Sequence, residues 1–320
     1  MKLELKKPFV SIIVTCHNLG EYLCECIKSI ENQTYKNYEI IIVDDASDEN
    51  TKEIIEKNFK NKCALAKFFS SSEIRVIDIQ KNEGQLGAFL QGLKVARGEF
   101  ICLVDADDVL FEDYLSTHLQ VHMNTNVAFT SAAQVEIDHK STMHSLCSCA
   151  NPLFKNNGGI FEKKDADKIF EIENKSFEVK VQKSSDLTFG SWVWNPATSA
   201  MMRKSSLDFL FLFKNLENYK TRADKLIFQF LQILGGSAQI GVPLWACRRR
   251  NNDTDENKLL GDFKYLKSSQ LKKITSQNKA IKRDILKFLI DNYHYFCARL
   301  NCTNVRKLIC RVAFSINLRK

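Results

Sequence analysis

Glycine and proline are scarce in this sequence, with 12 Gly and 4 Pro among 320 residues. This scarcity excludes collagen-like and low-complexity chains, which are rich in one or both of these residues. No apolar run approaches the roughly 20 residues that a membrane-spanning helix needs. Hydrophobic residues make up 44% of the chain and charged residues 26%, which is the composition of an ordinary globular protein.

The cysteines fit neither a structural zinc site nor a disulfide framework. There are 11 of them, an odd number, and no pair has the C-x-x-C spacing of a zinc knuckle. Unpaired thiols are typical of a reducing compartment, so we expect a cytoplasmic protein. The apolar stretch near the N-terminus lacks a small-residue cleavage site, and it predicts a first strand instead of a signal peptide.

Positive charge is concentrated in the tail. The net charge is +8, yet residues 263–320 contain 14 Lys/Arg and 2 Asp/Glu, so the remainder of the chain is net negative. Basic amphipathic helices in this tail fit the inner face of a membrane as a peripheral contact. The alternative is a set of helices packed on the main domain with a solvated basic face. No recognised module accompanies the charge, so nucleic acid is not expected as a partner.

Strand-like and helix-like periods alternate along the first 130 residues. The predicted strands are 9–15, 38–43, 74–79 and 99–104, and the predicted helices are 21–33, 51–59, 85–96 and 112–123. Uninterrupted apolar strands that alternate with helices indicate an α/β fold with a mostly parallel sheet covered by helices. Gly98 suits a left-handed helix cap.

The rest of the chain is less regular up to the tail. We predict irregular structure over 139–190 with a turn at 156–159 and a short helix at 165–170. A helix at 224–234 follows, then a strand at 237–248 that Pro243 breaks, and then a helical C-terminal extension.

Polar clusters follow three of the predicted strands, at 15–18, 44–45 and 105–107. Ligands of such sheets bind at the carboxyl ends of strands, so we expect these clusters to converge. Asp105 and Asp107 would share one strand face, where two carboxylates repel unless a cation neutralises both. Oxygen ligands favour Mg²⁺ or Mn²⁺ together with a diphosphate. The alternative is that these acids, like Asp44 and Asp45, only cap the following helices.

Three segments in order resemble the family 2 inverting glycosyltransferases with the GT-A fold. They are PFVSIIVTCHN, YEIIIVDDAS and NEGQLGAFLQGLKVARGEFICLVDADD. The resemblance is strong over residues 8–125 and weak over 190–255. It implies a Rossmann-like domain with a donor-binding half at 1–135 and an acceptor-binding half at 136–255, followed by a basic helical extension at 256–320.

The resemblance also implies roles for individual residues. Asp107 would bind Mn²⁺ or Mg²⁺, Asp45 would contact the base, and Asp224 would be the general base that deprotonates the acceptor. The substrate-binding residues would be Thr15, Asn18, Asp45, Asn82, Gly84, Asp105, Trp194 and Arg250. Two departures concern Leu90-Gln91, where many members have Arg-Asn, and His17, where an aromatic residue commonly precedes Asn.

Alternatives remain for three of these residues. Asp224 could be only the N-cap of its helix. Trp194 could belong to the core instead of stacking on an acceptor sugar. Residues 248–250 lie where the family has a loop that closes over the donor diphosphate, but they could equally be a solvated charge run.

The predicted activity is transfer of a single sugar, with inversion, from a nucleotide-diphosphate sugar, for which we expect UDP as the nucleotide. The acceptor would be a saccharide or a lipid-linked saccharide in cell-surface polysaccharide assembly. The Gln-x-x-Arg-Trp motif of the processive polymer synthases does not occur. The rival hypothesis is a nucleotide-binding or partner subunit without turnover. Nucleotidyl transfer is a third hypothesis, although the Gly-rich, basic loop that it usually needs is missing after strand one.

Overall fold

The computed structural model describes residues 7–60, 73–147, 168–172, 175–183, 194–213, 216, 219, 223–249, 268–300 and 302–317. The turn predicted at 156–159 and the predicted diphosphate ligand Arg250 lie outside these described residues.

One mixed sheet runs through the described part of the chain. Its strands are β1 Val10–Cys16, β2 Tyr38–Asp45, β3 Glu73–Ile79, β4 Phe100–Asp105, β5 Val109–Leu110, β6 Phe129–Ile137, β7 Met143–Cys147, β8 Lys168–Ile172, β9 Lys175–Gln182, β10 Ala200–Arg203 and β11 Ser237–Arg248. The strand order is β3-β2-β1-β4-β10-β6-β11-β9-β8, with β5 paired to β11 and β7 to β6. The segment β3-β2-β1-β4 is parallel throughout, whereas β10 is antiparallel to both of its neighbours.

Helices cover this sheet and continue into the tail. They are α1 Gly20–Glu31, α2 Glu49–Ile55, α3 Gly84–Val95, α4 Tyr114–Met123, α5 Lys204–Leu207, α6 Ala223–Gly235, α7 Ser268–Asp291, α8 Tyr293–Leu300 and α9 Cys302–Asn317. A π-helical turn extends α2 through Glu56–Lys60, and 3-10 turns cover Ala197–Ser199 and Asp208–Leu212. Across the described residues, no helix combines the length and the apolar character that crossing a bilayer requires.

Strands β1, β2 and β4 of the parallel segment are buried on both faces, as the apolar strands predict, whereas the edge strand β3 is only partly buried. Ile12 pairs with Ile40, and the next pair along, Ile13 and Ile41, points to the opposite face. The first pair belongs to one hydrophobic cluster and the second pair to another. A sheet with apolar side chains on both faces needs helices on both sides, which is why the strand and helix periods alternate in the sequence.

The C-terminal helices share a core with the sheet domain. The ring of Phe288 on α7 stacks on Phe213 at 4.4 Å with an interplanar angle of 8°, and it meets the edge of Phe230 on α6 at 5.2 Å. Ile285 and Leu289 are fully buried in the same cluster. The tail therefore packs on the domain, and Arg306, Lys307 and Arg311 lie on its exposed surface.

Two local predictions are wrong. Residues 168–172 form strand β8 and not the end of a short helix, because they pair with β9 in an antiparallel hairpin. Gly98 is not a left-handed cap: α3 ends at Val95, and the positive φ angles among the described glycines belong to Gly84 and Gly236. Gly98 is instead packed so tightly that a Cβ atom there would lie 2.4 Å from the backbone nitrogen of Ser11.

Candidate active site

The predicted polar clusters meet at the carboxyl ends of β1, β2 and β4. Strand β1 lies between the other two, and its register places Thr15 opposite Asp105 and Cys16 opposite Asp44. The strand order therefore reverses at β1, which is where ligands of open α/β sheets bind.

Asp105 is the last residue of β4, and the chain turns immediately after it. The Asp108 N–H donates to the Asp105 carbonyl at 3.0 Å, and the Ala106 N–H donates to the Thr15 carbonyl at 3.2 Å. The prediction that Asp105 and Asp107 share one strand face required the strand to continue to Asp107. Because β4 ends at Asp105, the two residues do not share a strand face. The turn, rather than the strand, brings the two acids near each other.

The Asp105 carboxylate is held by two donors. Gln85, at the start of α3, donates from Nε2 to Asp105 Oδ1 at 2.7 Å, and Thr15 Oγ1 donates to the same oxygen at 3.4 Å. Burial, the negative charge of Asp107 and, to a smaller extent, the charge of Asp224 nevertheless raise the pKa of Asp105 to about 6. Asp224 therefore faces the same acidic cluster, although more than 100 residues separate it from Asp105.

Asp108 is a third buried acid at this turn. Its Oδ2 accepts a hydrogen bond from Thr198 Oγ1 at 2.5 Å, and its Oδ1 accepts one from the Arg248 N–H at 3.3 Å. Burial, together with the charges of Asp107 and Asp105, raises the pKa of Asp108 well above the ordinary value. Thr198 Oγ1 also accepts the Asp105 N–H at 3.1 Å, so one threonine joins both acids.

Asp45 connects β2 to the turn before α3. Its Oδ1 accepts the Glu83 N–H at 2.7 Å, and its Oδ2 accepts the Gly84 N–H at 2.8 Å. Asn82 Oδ1 also accepts the Gly84 N–H, at 3.1 Å, and Gly84 has a φ of 76° that disfavours other residues. Both oxygens of Asp45 thus fix the Asn82–Gly84 turn, which places Gln85 against Asp105.

The loop after β1 is braced against the loop after β2. Asn18 has a φ of 56°, its Oδ1 accepts the Asp48 N–H at 2.7 Å, and its own N–H donates to Ser47 Oγ at 3.0 Å. His17 Nδ1 lies 2.8 Å from the Asp45 carbonyl oxygen. The side chains of His17 and Asn18 are exposed at the mouth of the site.

The N-cap positions of helices α2 and α4 are occupied by residues outside the predicted clusters. Asp48 is the N-cap of α2, with its Oδ1 accepting the Thr51 N–H at 2.9 Å. The N-cap position of α4 is Asp113, which lies beyond the Asp105–Asp108 turn. Asp224 lies inside the first turn of α6, where its Oδ1 accepts the Lys225 N–H at 2.7 Å.

Trp194 does not join the site. It is 3% exposed, its Nε1 donates to Ser237 Oγ at 3.0 Å, and its ring packs against Phe129 with centroids 5.4 Å apart. This placement corresponds to the core alternative, because a ring enclosed in this way offers no face to a sugar.

Arg248 and Arg249 are not a solvated charge run either. Arg248 is 4% exposed and Arg249 donates to the carboxylate of Glu136. Both guanidinium groups are therefore committed to contacts within the protein.

Sequence reasoning missed Gln85, Asp108 and Thr198. Gln85 gives one weak signal, a polar residue at the start of an otherwise apolar helix. Asp108 adjoins a recognised pair of acids, but its contact with Thr198 spans 90 residues and has no local signature.

The donor set suits a divalent cation that is completed by substrate oxygens. Within the described ranges, no group of three or more His, Cys, Asp or Glu side chains is arranged to hold a metal by itself. Mg²⁺ and Mn²⁺ commonly bind through one or two carboxylates plus phosphate oxygens and water. The pKa of Asp105 is raised partly by the neighbouring negative charge of Asp107, and a bound divalent cation would neutralise this repulsion.

Comparison with known proteins gives a consistent result. The family described as Glycosyl transferase family 2 matches residues 11–208. Glycosyltransferase GlyG of Streptococcus pneumoniae is 37% identical over 111 residues, which are 35% of this chain and 34% of GlyG. The Escherichia coli protein WfgD, named a UDP-Glc:alpha-D-GlcNAc-diphosphoundecaprenol beta-1,3-glucosyltransferase, is 29% identical over 154 residues, which are 47% of this chain and 56% of WfgD.

The fold has a solved counterpart. The crystal structure of S. aureus TarS 1-349 in complex with UDP-GlcNAc superimposes with a TM-score of 0.58 at 16% identity, covering 96% of this chain and 72% of that chain. This likeness confirms the predicted GT-A architecture. The sequence matches themselves span about a third of GlyG and just over half of WfgD.

Proposed function

The chain belongs to glycosyl transferase family 2, and from that premise we propose that it transfers a single sugar from a UDP-linked donor to a saccharide or lipid-linked acceptor with inversion. One observation carries the proposal: the charges of Asp107 and Asp224, which come from two distant parts of the chain, both act on Asp105 at the strand-order reversal. The names of WfgD and of the TarS complex support the choice of a UDP-sugar.

The donor would occupy the edge formed by the loops after β1 and β2 and by the Asn82–Gly84 turn. In this proposal Thr15 and Asn18 line the nucleotide. Asp45 keeps its bonds to the turn and presents its remaining lone pairs to the base. The diphosphate then lies beside Asp105 and Asp107.

Asp107, with Asp105 beside it, would hold Mn²⁺ or Mg²⁺. When bound, the ion neutralises charge that develops on the departing diphosphate. Asp224 accepts the proton of the acceptor hydroxyl as that oxygen bonds to the anomeric carbon and the bond to the diphosphate breaks. Attack from the opposite face inverts the anomeric configuration.

Nucleotide binding tests the donor half of the proposal. With Mn²⁺ present, UDP at about 100 times its dissociation constant should stabilise the protein by about 2.7 kcal/mol, a rise in Tm of about 5 °C. The measurement is a thermal-shift panel of nucleoside diphosphates with Mn²⁺ and with EDTA. Equal shifts for all nucleotides, or none, would reject a UDP-sugar donor.

Product analysis separates the alternative functions. Turnover of a UDP-sugar should release UDP, whereas nucleotidyl transfer would release pyrophosphate. UDP binding that is never followed by turnover of any donor would favour a binding or partner subunit.

A lipid-linked acceptor would bring the protein to the inner face of a membrane, and we propose that the basic tail makes a peripheral contact there. Lys307 and Arg311 are exposed on α9, and Leu212 and Ile290 are 56% and 53% exposed on the 208–212 turn and on α7, the helix that α9 contacts. Exposed apolar side chains beside basic ones are typical of interfacial surfaces.

Vesicle flotation tests this contact. Each basic residue near an anionic surface contributes about 1 kcal/mol, so reversing Lys307 and Arg311 to Glu should lower binding to phosphatidylglycerol vesicles at least tenfold. The matched control reverses Lys52 and Lys57, two exposed lysines on the α2 side of the domain. Equal loss in both double variants would show a general charge effect and no tail surface.

A further inference from the structure

The buried guanidinium of Arg248 has no role in the reaction proposed above. Strand β11 ends at this residue, directly behind the turn that carries the acidic cluster. Its Nε donates to the Asp107 carbonyl oxygen at 2.9 Å, and its backbone N–H donates to Asp108 Oδ1 at 3.3 Å. Arg248 therefore contacts two consecutive residues of the turn, one through its side chain and one through its backbone.

The far side of the guanidinium is anchored on two other segments. Its Nη2 donates to Glu25 Oε2 on α1 at 2.7 Å, and its Nη1 donates to the Asp138 carbonyl at 2.9 Å and to Ser141 Oγ at 3.0 Å. Ser141 Oγ also donates to Glu25 Oε1 at 2.7 Å. The guanidinium carbon lies 4.7 Å from the ring centroid of Tyr22.

Ser141 lies in the tight turn between β6 and β7. Ser141 has a φ of 63°, a left-handed conformation that costs a non-glycine residue on the order of 1 kcal/mol. Such strain persists where surrounding contacts hold it: the Ser141 N–H donates to the Asp138 carbonyl oxygen at 3.1 Å, and both side-chain partners of Ser141 belong to the Arg248 network. The network is thus a fixed arrangement of four segments: α1, the 138–141 turn, β11 and the acidic turn.

We propose that Arg248 is a positioning residue that fixes the Asp105–Asp108 turn so that the Asp107 carboxylate faces the donor diphosphate and its cation. The peptide group is planar, so holding the Asp107 carbonyl restricts the orientation of the adjoining Cα and side chain. The effect on cation and diphosphate binding rests on the proposed function. The effect of Arg248 on the conformation of the turn does not depend on that function.

The geometry favours this role over direct contact with phosphate. Four side-chain hydrogen bonds and a ring contact already occupy the guanidinium, so binding a phosphate would break contacts in a buried place. The planar fork that reaches three segments at once cannot be reproduced by the single ammonium of lysine.

Glu25 offers a test that stays away from the substrate. It is exposed, it lies on the outer side of Arg248, and Glu25→Ala removes both of its bonds in the network while leaving Arg248 in place. The matched control is Glu31→Ala, which removes the same charge from the last residue of the same helix.

Two measurements on the full-length chain decide the matter. In Glu25→Ala, hydrogen exchange of residues 105–109 should be about tenfold faster, and the Mn²⁺ concentration that half-saturates UDP binding should rise about threefold to tenfold, a loss of roughly 1 kcal/mol. Tm should fall by about 2–5 °C, because the buried guanidinium of Arg248 loses its carboxylate partner but keeps its other hydrogen bonds. Glu31→Ala should match the wild type, and Arg248→Lys should show the same two changes more strongly.

Unchanged exchange over 105–109 in both Glu25→Ala and Arg248→Lys would overturn the positioning role. Unchanged Mn²⁺ dependence with faster exchange would equally overturn it, since the turn would then not set the Asp107 carboxylate. If the wild type binds no UDP with Mn²⁺, the proposed function fails, and the exchange measurement still decides whether Arg248 holds the turn.

Discussion

Replacing Asp224 with Asn should lower sugar transfer about 100- to 10,000-fold, the usual contribution of a general base. Asparagine has the same shape but cannot accept the proton of the acceptor hydroxyl. UDP binding with Mn²⁺ should remain within about twofold, because the proposal gives Asp224 no contact with the donor nucleotide. The measurement is kcat with a UDP-sugar donor, beside calorimetric binding of UDP.

The same variant should change Asp105. Because the charge of Asp224 contributes to the raised pKa of Asp105, Asp224→Asn should lower that pKa towards its ordinary value. Asp208→Asn is the matched control, since Asp208 is exposed and pairs with Lys204. Transfer that survives Asp224→Asn within about threefold of wild type would disprove the base assignment.

Asp105→Asn should stabilise the metal-free protein at neutral pH while it abolishes most activity. The pKa of Asp105 rises from 3.8 to about 6 on folding, so the folded state holds the proton more tightly than the unfolded state. Stability from this group is therefore present below about pH 4 and is lost as pH rises through 6. At pH 7.5 the ionised carboxylate should cost about 1–3 kcal/mol.

Asparagine at position 105 removes that cost and can still accept the hydrogen bonds from Gln85 and Thr15 through its side-chain oxygen. In EDTA at pH 7.5 we expect a Tm about 2–6 °C above wild type, with a flatter dependence of Tm on pH between 4 and 7. Transfer should fall at least about 100-fold. An unchanged pH slope, or a lower Tm than that of Asp208→Asn, would contradict the burial of this charge.

Local sequence patterns predicted the donor-binding part of the fold because its strands are continuous apolar runs. Strands β1, β2, β3 and β4 begin and end within two residues of the predicted positions. Strand β8 was not predicted, since its pairing with β9 depends on a partner and not on its own periodicity. Strand β11 continues past Pro243 with register shifts around it, where the sequence favoured a break.

The candidate site likewise has a part that the sequence could predict and a part that it could not. The positions of Thr15, Asp105 and Asp45 at strand ends follow from where apolar runs stop, so the sequence could locate them. The contacts that set their orientation could not be located, because Gln85 reaches Asp105 across 20 residues and Thr198 reaches Asp108 across 90 residues. The reversal of strand order that brings these residues together is a property of topology, which no single segment encodes.

The packed rings of Phe213, Phe230 and Phe288 have a consequence for how this protein could be altered. Phe230 lies on α6, which carries Asp224 in its first turn, and Phe288 lies on the tail, so the tail supports the helix that carries the proposed base. The tail therefore cannot be replaced without affecting α6. Replacing the tail with that of a relative, or shortening it, would loosen α6. The rate of sugar transfer, which depends on proton abstraction by Asp224, would then fall before the affinity for the nucleotide changes.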